Sequence, residues 1–327
     1  MLQNKPNLLR WLFAIGAMTA LLPIGSARAA YPDRIIKIVV PFAPGGGTDV
    51  VARTLAQEMS RDLGVTVIVE NKPGAGTIIG TQAVAVSDAD GYTLLMGTFA
   101  NAVNPSLYPK LPYDQHRDFA PVALVARSFN IVVVNPASPI ESIADLIAQA
   151  KAEPDKLAYG TYGTGTSAHL AGELFKHMAG VNLTMVPYKG AAPAITDLIG
   201  GQIQVMFTTV ASCAGLVAAG QLRALAVTSA ERSPAFPQLP TVSDAGVPGY
   251  DAQSWYGLFA PAKTPPDIIA RLNKSAAAAV QSDAFKKLAV NEGLVLVASP
   301  PDELERYFHT EEERWRKVIQ DAGIKPD

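Results

Sequence analysis

PFAPGGGTDVVAR, Pro41–Arg53, joins a β-branched run to a charged, periodic one through three consecutive glycines. RIIKIVVP before it, Arg34–Pro41, reads as a short strand. After it, Val51, Leu55, Met59 and Leu63 recur every four residues, which is one face of a helix. Gly64 is placed to end that helix. A glycine loop feeding a helix start exposes unsatisfied N–H groups beside a partial positive charge, and glycines let a ligand approach the backbone. The loop is therefore read as an anion site, with a plain tight turn as the alternative. A nucleotide-phosphate loop would place Gly-Lys-Ser/Thr at the helix start. Here the residues are Gly47-Thr48-Asp49, and an acid at that place repels a polyphosphate.

The same strand–loop–helix corner returns once. YGTYGTGTSAHLAGELF, Tyr159–Phe175, lies about 118 residues further on, without close identity to the first. Gly163-Thr-Gly165-Thr-Ser-Ala168 fits the dinucleotide fingerprint G-x-G-x-x-A. However, LTMVPYKG downstream lacks the acid that would bind a ribose. What this loop does offer is hydroxyls, from Thr161, Thr164, Thr166 and Ser167. Between and beyond the corners, strand patterns alternate with helical ones in YTLLMGT, FNIVVVNP, IQVMFTT and LRALAVTS. That alternation marks an α/β fold. Thr264-Pro-Pro-Asp267 and Ser299-Pro-Pro-Asp302 read as helix starts, each with its first residue as the cap, a proline at the first helical position and an acid in the first turn. The last helix is expected to run to about Ala322 on a buried stripe of Leu304, Phe308, Trp315 and Ile319.

The N-terminus assigns a compartment. Lys5 and Arg10 precede the apolar run WLFAIGAMTALLPIG, and SARAA places small residues at Ala27 and Ala29. This reads as a secretory signal, residues 1–29, cleaved after Ala29. A membrane anchor is the alternative, but the run is short for a spanning helix. The leader carries three of the 27 basic residues and none of the 29 acids. The remainder has 24 basic against 29 acidic side chains, a net charge of −5 that disfavours nucleic acid as a partner. Cys213 stands alone, so no intramolecular disulfide can form. The pattern suits a bacterial periplasmic protein that relies on its core.

The layout predicts two lobes. SFNIVVVNPAS, near residue 130, would carry the chain out to a second lobe, and AQSWYGLFAPA, near residue 255, would bring it back. Residues 30–128 and 255–327 would form lobe 1, and residues 129–254 lobe 2, with a hinged cleft between them. Catalysis has little to build on, because G-x-S-x-G is absent. His169, Glu173 and His177 share a predicted helix face, but the outer pair would lie about 12 Å apart along the axis, too far to share one ion. No metal and no cofactor are expected. Lys189 in VPYKG, and the aromatics Phe42, Phe99, Tyr188, Trp255 and Tyr256, lie near expected loops or crossings. Solvated and core roles respectively are the alternatives for these.

Seven strings then occur in order: PFAPGGGTDVVAR, ENKPGAGTIIG, DGYTLLMGT, YGTYGTGTSAHLAGELF, VPYKGAAPAITDLIGGQIQVMF, LRALAVTSAERSPAFPQLPTV and SWYGLFAPAKTP. Together they make the chain resemble, from Tyr31 to about Lys325, the extracytoplasmic solute receptors of the tripartite tricarboxylate transporter family, also called Bordetella-uptake-gene-type receptors. The resemblance implies a type II-like Venus-flytrap binding protein. It would be a monomer that is not an enzyme. It would close around a small organic carboxylate and pass it to membrane transporter subunits. A ligand-sensing receptor for a signalling partner and a periplasmic enzyme acting on a carboxylate are the other readings. Carried over, the first jaw is Phe42, Gly46, Gly47, Thr48 and Asp49, and the opposing jaw is Gly163, Thr166, Ser167 and His169. Thr98 and Asn101 would be side walls.

Two departures from the family pattern concern the ligand. Thr77 stands where the family often has glycine, and Thr208 where it often has aspartate. Without that acid, the expected ligand lacks an ammonium group. Its identity among dicarboxylates, tricarboxylates and aromatic acids stays open.

Overall fold

The computed structural model describes Met1, residues 31–233 and residues 235–325. Apart from Met1, the expected leader lies outside the described residues. The first sheet orders β2 (Val67–Asn71), β1 (Ile36–Val40), β3 (Thr93–Thr98), β9 (Gln253–Pro261) and β4 (Phe119–Val134). β1 is parallel to both β2 and β3, and β9 runs antiparallel to β3 and β4. The short β10 (Val295–Leu296) adds to β4.

Period-two alternation in β1 sorts its side chains between two cores. Ile36, Ile38 and Val40 join the core built on α1 (Gly47–Leu63), α9 (Pro266–Val280) and α10 (Asp283–Glu292). Val39 points to the opposite face. That face is covered by α2 (Ile78–Ala85), α3 (Phe99–Leu107) and α11 (Pro301–Asp321), beside the short α4 (Gln115–Asp118).

The second sheet continues through β4. Phe119–Phe129 pair with β9, and Asn130–Val134 pair with β7 (Val205–Thr209). β8 (Arg223–Val227) also joins β4, while β5 (Ala158–Thr161) and β6 (Thr184–Pro187) extend the sheet from β7. Here too alternation divides the faces. Val132 and Val134 meet the side of α5 (Ile143–Ala152) and α6 (Ser167–Ala179). Ile131 and Val133 meet α7 (Ala191–Ile199) and α8 (Val210–Ala218). We propose that the lobes part at Phe129–Asn130 in β4 and at the start of β9, where the pairing changes partners.

Local stops and starts follow from residue chemistry. Gly64 ends α1 in the left-handed conformation, and Gly323 takes the same conformation two residues beyond α11. The expected stripe on α11 is buried, and Glu311 is buried with it. The two Pro-Pro starts differ from expectation by one residue. Pro265 and Pro300, not Thr264 and Ser299, occupy the cap positions, with Pro266 and Pro301 first in the helices. The Ser299 hydroxyl is spent elsewhere: it accepts from the Leu124 N–H at 2.9 Å and ties the start of α11 to β4.

Candidate functional site

Five helices begin at one cavity between the lobes. The residues capping α1, α3, α6, α7 and α8 are Gly46, Thr98, Thr166, Gly190 and Thr209, and all five line it. α1 and α3 reach it from the first sheet, and the other three from the second. Each start offers N–H groups without helical partners and the equivalent of about half a positive charge. No Lys, Arg, His, Asp or Glu lines the cavity among the described residues. Its positive potential is therefore built from backbone. Free volume is about 40 Å³, room for the centres of only a few water molecules.

The walls combine aromatic faces with hydroxyls. Phe42 and Phe99 come from the first lobe's corners, and Tyr162 and Tyr256 stand with them. Burial pushes the Tyr162 phenol up to about 12, the Ser167 hydrogen bond only partly opposing it. Burial also drives Tyr256 up. Both phenols thus stay protonated and can donate to an anion. The Tyr256 hydroxyl is buried and makes no hydrogen bond among the described residues. Ser167 is held by Asn130 Oδ1 at 3.3 Å, and Thr209 shares a 2.9 Å bond with Ser212.

A family model described as tripartite tricarboxylate transporter family receptor matches residues 51–324. The chain belongs to that family. The receptor is 39% identical to protein BugT of Bordetella pertussis, over 98% of this chain and 99% of that one. Its fold overlays Rpa4515 of R. palustris, solved with adipate, with a TM-score of 0.88 and 39% identity, over 91% of this chain and all of that one. MatC of Rhodopseudomonas palustris, solved with malate, gives 0.84 and 31%, over 88% of this chain and all of that one. The fold is thus the bilobed α/β one of periplasmic binding proteins, and the family is one of solute receptors, not catalysts.

Among the residues singled out in the sequence, the receptor brings Phe42, Gly46, Gly47, Thr48, Thr98, Thr166 and Ser167 together at the cavity. Phe99 and Tyr256 line it too, whereas Asp49, Asn101, Thr77, Gly163, His169 and Thr208 stand off it. Asp49 turns back into its own loop, accepting from the Gly45 N–H at 3.0 Å, Arg53 Nε at 2.9 Å and Asn71 Nδ2 at 2.9 Å. Its charge is thus matched behind the loop rather than presented to a ligand. Asn101 is spent on α3, its Oδ1 accepting from the Thr98 N–H at 2.9 Å. Thr77 receives Asn104 Nδ2 at 3.2 Å. The Gly163 carbonyl accepts from Thr166 Oγ1 at 2.6 Å, and His169 Nδ1 accepts from the Gly165 N–H at 3.2 Å. Gly163 and His169 thus shape the second loop without lining the cavity.

Thr208 is fully buried opposite Ile131, off the lining, while its neighbour Thr209 is on it. Successive strand residues face opposite ways, so a slip of one position exchanges lining for core. The starts of α7 and α8 were not singled out as site elements. Their signals were Gly190 before a helical run in VPYKGAAPA, and Thr209 with Ser212 at the end of VMFTT. Glu173, considered as part of a metal face with His169 and His177, is instead bonded by the Tyr159 hydroxyl at 2.5 Å and by Lys176 at 2.8 Å.

Proposed function

We propose that the receptor is periplasmic, captures a small organic acid with at least two carboxylates and no ammonium group, and passes it to a membrane transporter. The observation that carries this reading is the convergence of five helix starts on a cavity without a charged side chain. Five ends of about half a charge each suit two carboxylates better than one. An ammonium group would find no acid there, since Asp49 faces away. The adipate- and malate-bound relatives support the same ligand class. Binding would draw the lobes together, because the N–H groups that hold the ligand come from both.

A thermal-shift screen tests the ligand class. C4 to C6 dicarboxylates should raise the melting temperature. A ligand at 100 times its Kd adds about 2.7 kcal/mol of stability. Amino acids of similar size should leave the midpoint unchanged, and an amino acid that outperforms every dicarboxylate would overturn the reading.

Tyr256→Phe tests the donor role. A buried hydroxyl without a partner gives the free protein nothing and costs desolvation. The ligand-free variant should be as stable as the parent, or up to about 1 kcal/mol more stable. Its affinity should fall about tenfold, the loss of roughly one hydrogen bond. Unchanged affinity by calorimetry would remove Tyr256 from the ligand's partners.

A further inference from the structure

Outside the cleft, two histidines and a glutamate meet on the surface of the first lobe. His116 sits on α4, and His309 and Glu312 lie one turn apart on α11. One ligand atom from each falls within 4.8 Å of the others. His116 Nε2 and Glu312 Oε2 are 2.8 Å apart. The two imidazoles are stacked, with centroids 4.4 Å apart and planes within 3°. Neither is inside the core: both histidines are exposed and Glu312 is half-buried. The His309 ring makes no side-chain hydrogen bond among the described residues. The cluster has a firm base nonetheless. Asp114 caps α4 by accepting from the N–H groups of His116 and Arg117. The His116 ring also stands edge-on to buried Phe308 at 5.6 Å.

We propose that His116, His309 and Glu312 form a site for a divalent cation of the zinc–copper class, separate from the carboxylate cleft. Two imidazole nitrogens and a carboxylate oxygen are the donor set that borderline metals prefer over magnesium or calcium. Around tetrahedral zinc, ligand atoms about 2.0–2.1 Å from the metal lie roughly 3.4 Å from one another. Binding at that spacing would open the imidazole stack. Water completes the fourth position, since the site faces solvent. Bound metal would join α4 to α11, elements far apart in sequence. None of the three residues lines the cleft, so the site does not rest on the carboxylate reading.

The test uses untagged mature protein, freed of metal and titrated with Zn²⁺ against a chromogenic chelator, and with Cu²⁺ by electron paramagnetic resonance. One equivalent of Zn²⁺ should bind per chain at neutral pH, and the copper spectrum should show nitrogen coupling. Affinity should fall at least tenfold in His116→Ala and His309→Ala, and about tenfold in Glu312→Gln. It should be unchanged in His177→Ala, which removes an exposed histidine elsewhere. The parent's circular dichroism and melting temperature, retained in every variant, show that the chain is folded. Absence of a saturable equivalent, or affinity unchanged from the parent in His116→Ala and His309→Ala, overturns the proposal.

Discussion

Gly47→Val should abolish ligand-driven closure, lowering affinity for the carboxylate by at least about 100-fold, or 2.7 kcal/mol. A Cβ at this position would lie 2.9 Å from the Ala211 Cβ, 2.9 Å from the Tyr256 hydroxyl and 3.1 Å from Thr209 Oγ1. Ala211 and Thr209 belong to the opposing lobe and are anchored to the start of α8, so neither can swing aside as a flexible side-chain end would. Two further methyls enlarge the wedge. Backbone strain is not the cause, because Gly47 is the first residue of α1 and its φ lies outside the left-handed region. The ligand-free variant, able to stay open, should melt close to the parent. Gly215→Ala in α8 is the matched control, since its added methyl meets nothing within 4 Å. Small-angle scattering decides the matter. A Gly47→Val protein that compacts on adding ligand and binds it normally would show that the jaws do not meet at this residue.

The glycine loops were legible because their purpose needs glycine in the chain itself. Gly47 permits the close approach of the jaws, and Gly163 and Gly165 adopt φ of 124° and 78°, which other residues resist. β1 and α1 were legible for the same kind of reason, since burial on both faces of a sheet demands β-branched runs and helical spacing. Side-chain direction was not. Thr48 and Asp49 are neighbours in the first turn of α1, yet Thr48 lines the cavity and Asp49 braces the preceding loop from behind. The partner that turns Asp49 away is Asn71, which lies 22 residues on and is brought near only by the parallel pairing of β1 with β2. Thr77 illustrates the same limit. Its φ of 81° is a conformation that glycine adopts freely. Its hydroxyl, however, reaches Asn104 on α3 and not the cavity. Contacts made across lobes, such as α8 against α1, carry no local pattern.

Asp49→Ala should unfold the first jaw's support, costing about 2–3 kcal/mol of stability and weakening binding roughly tenfold or more. The carboxylate is nearly inaccessible, and three donors converge on it: the Gly45 N–H, Arg53 and Asn71. Truncation strands the Gly45 N–H within the loop that must present Gly46 and Gly47 to the ligand. Arg53 and Asn71 suffer less. Arg53 is half exposed and also bonds Asn71 Oδ1 at 3.0 Å, and Asn71 Nδ2 keeps the Phe42 carbonyl. The pH dependence carries a sign that separates this brace from a ligand contact. Burial alone would raise the Asp49 carboxyl above its ordinary value, but the hydrogen bonds from Arg53, Gly45 and Asn71 outweigh it and hold the group below that value. A depressed carboxyl stabilises the fold above its unfolded value, near 3.9, and that contribution fades as the pH falls through the lower folded value. The stability gap between parent and Asp49→Ala should therefore be constant from about pH 5 to 8 and should narrow below about pH 4. Urea denaturation of ligand-free protein across that range reads it directly. A gap that appears only with ligand bound would mean that Asp49 touches the ligand, contrary to its geometry in the loop.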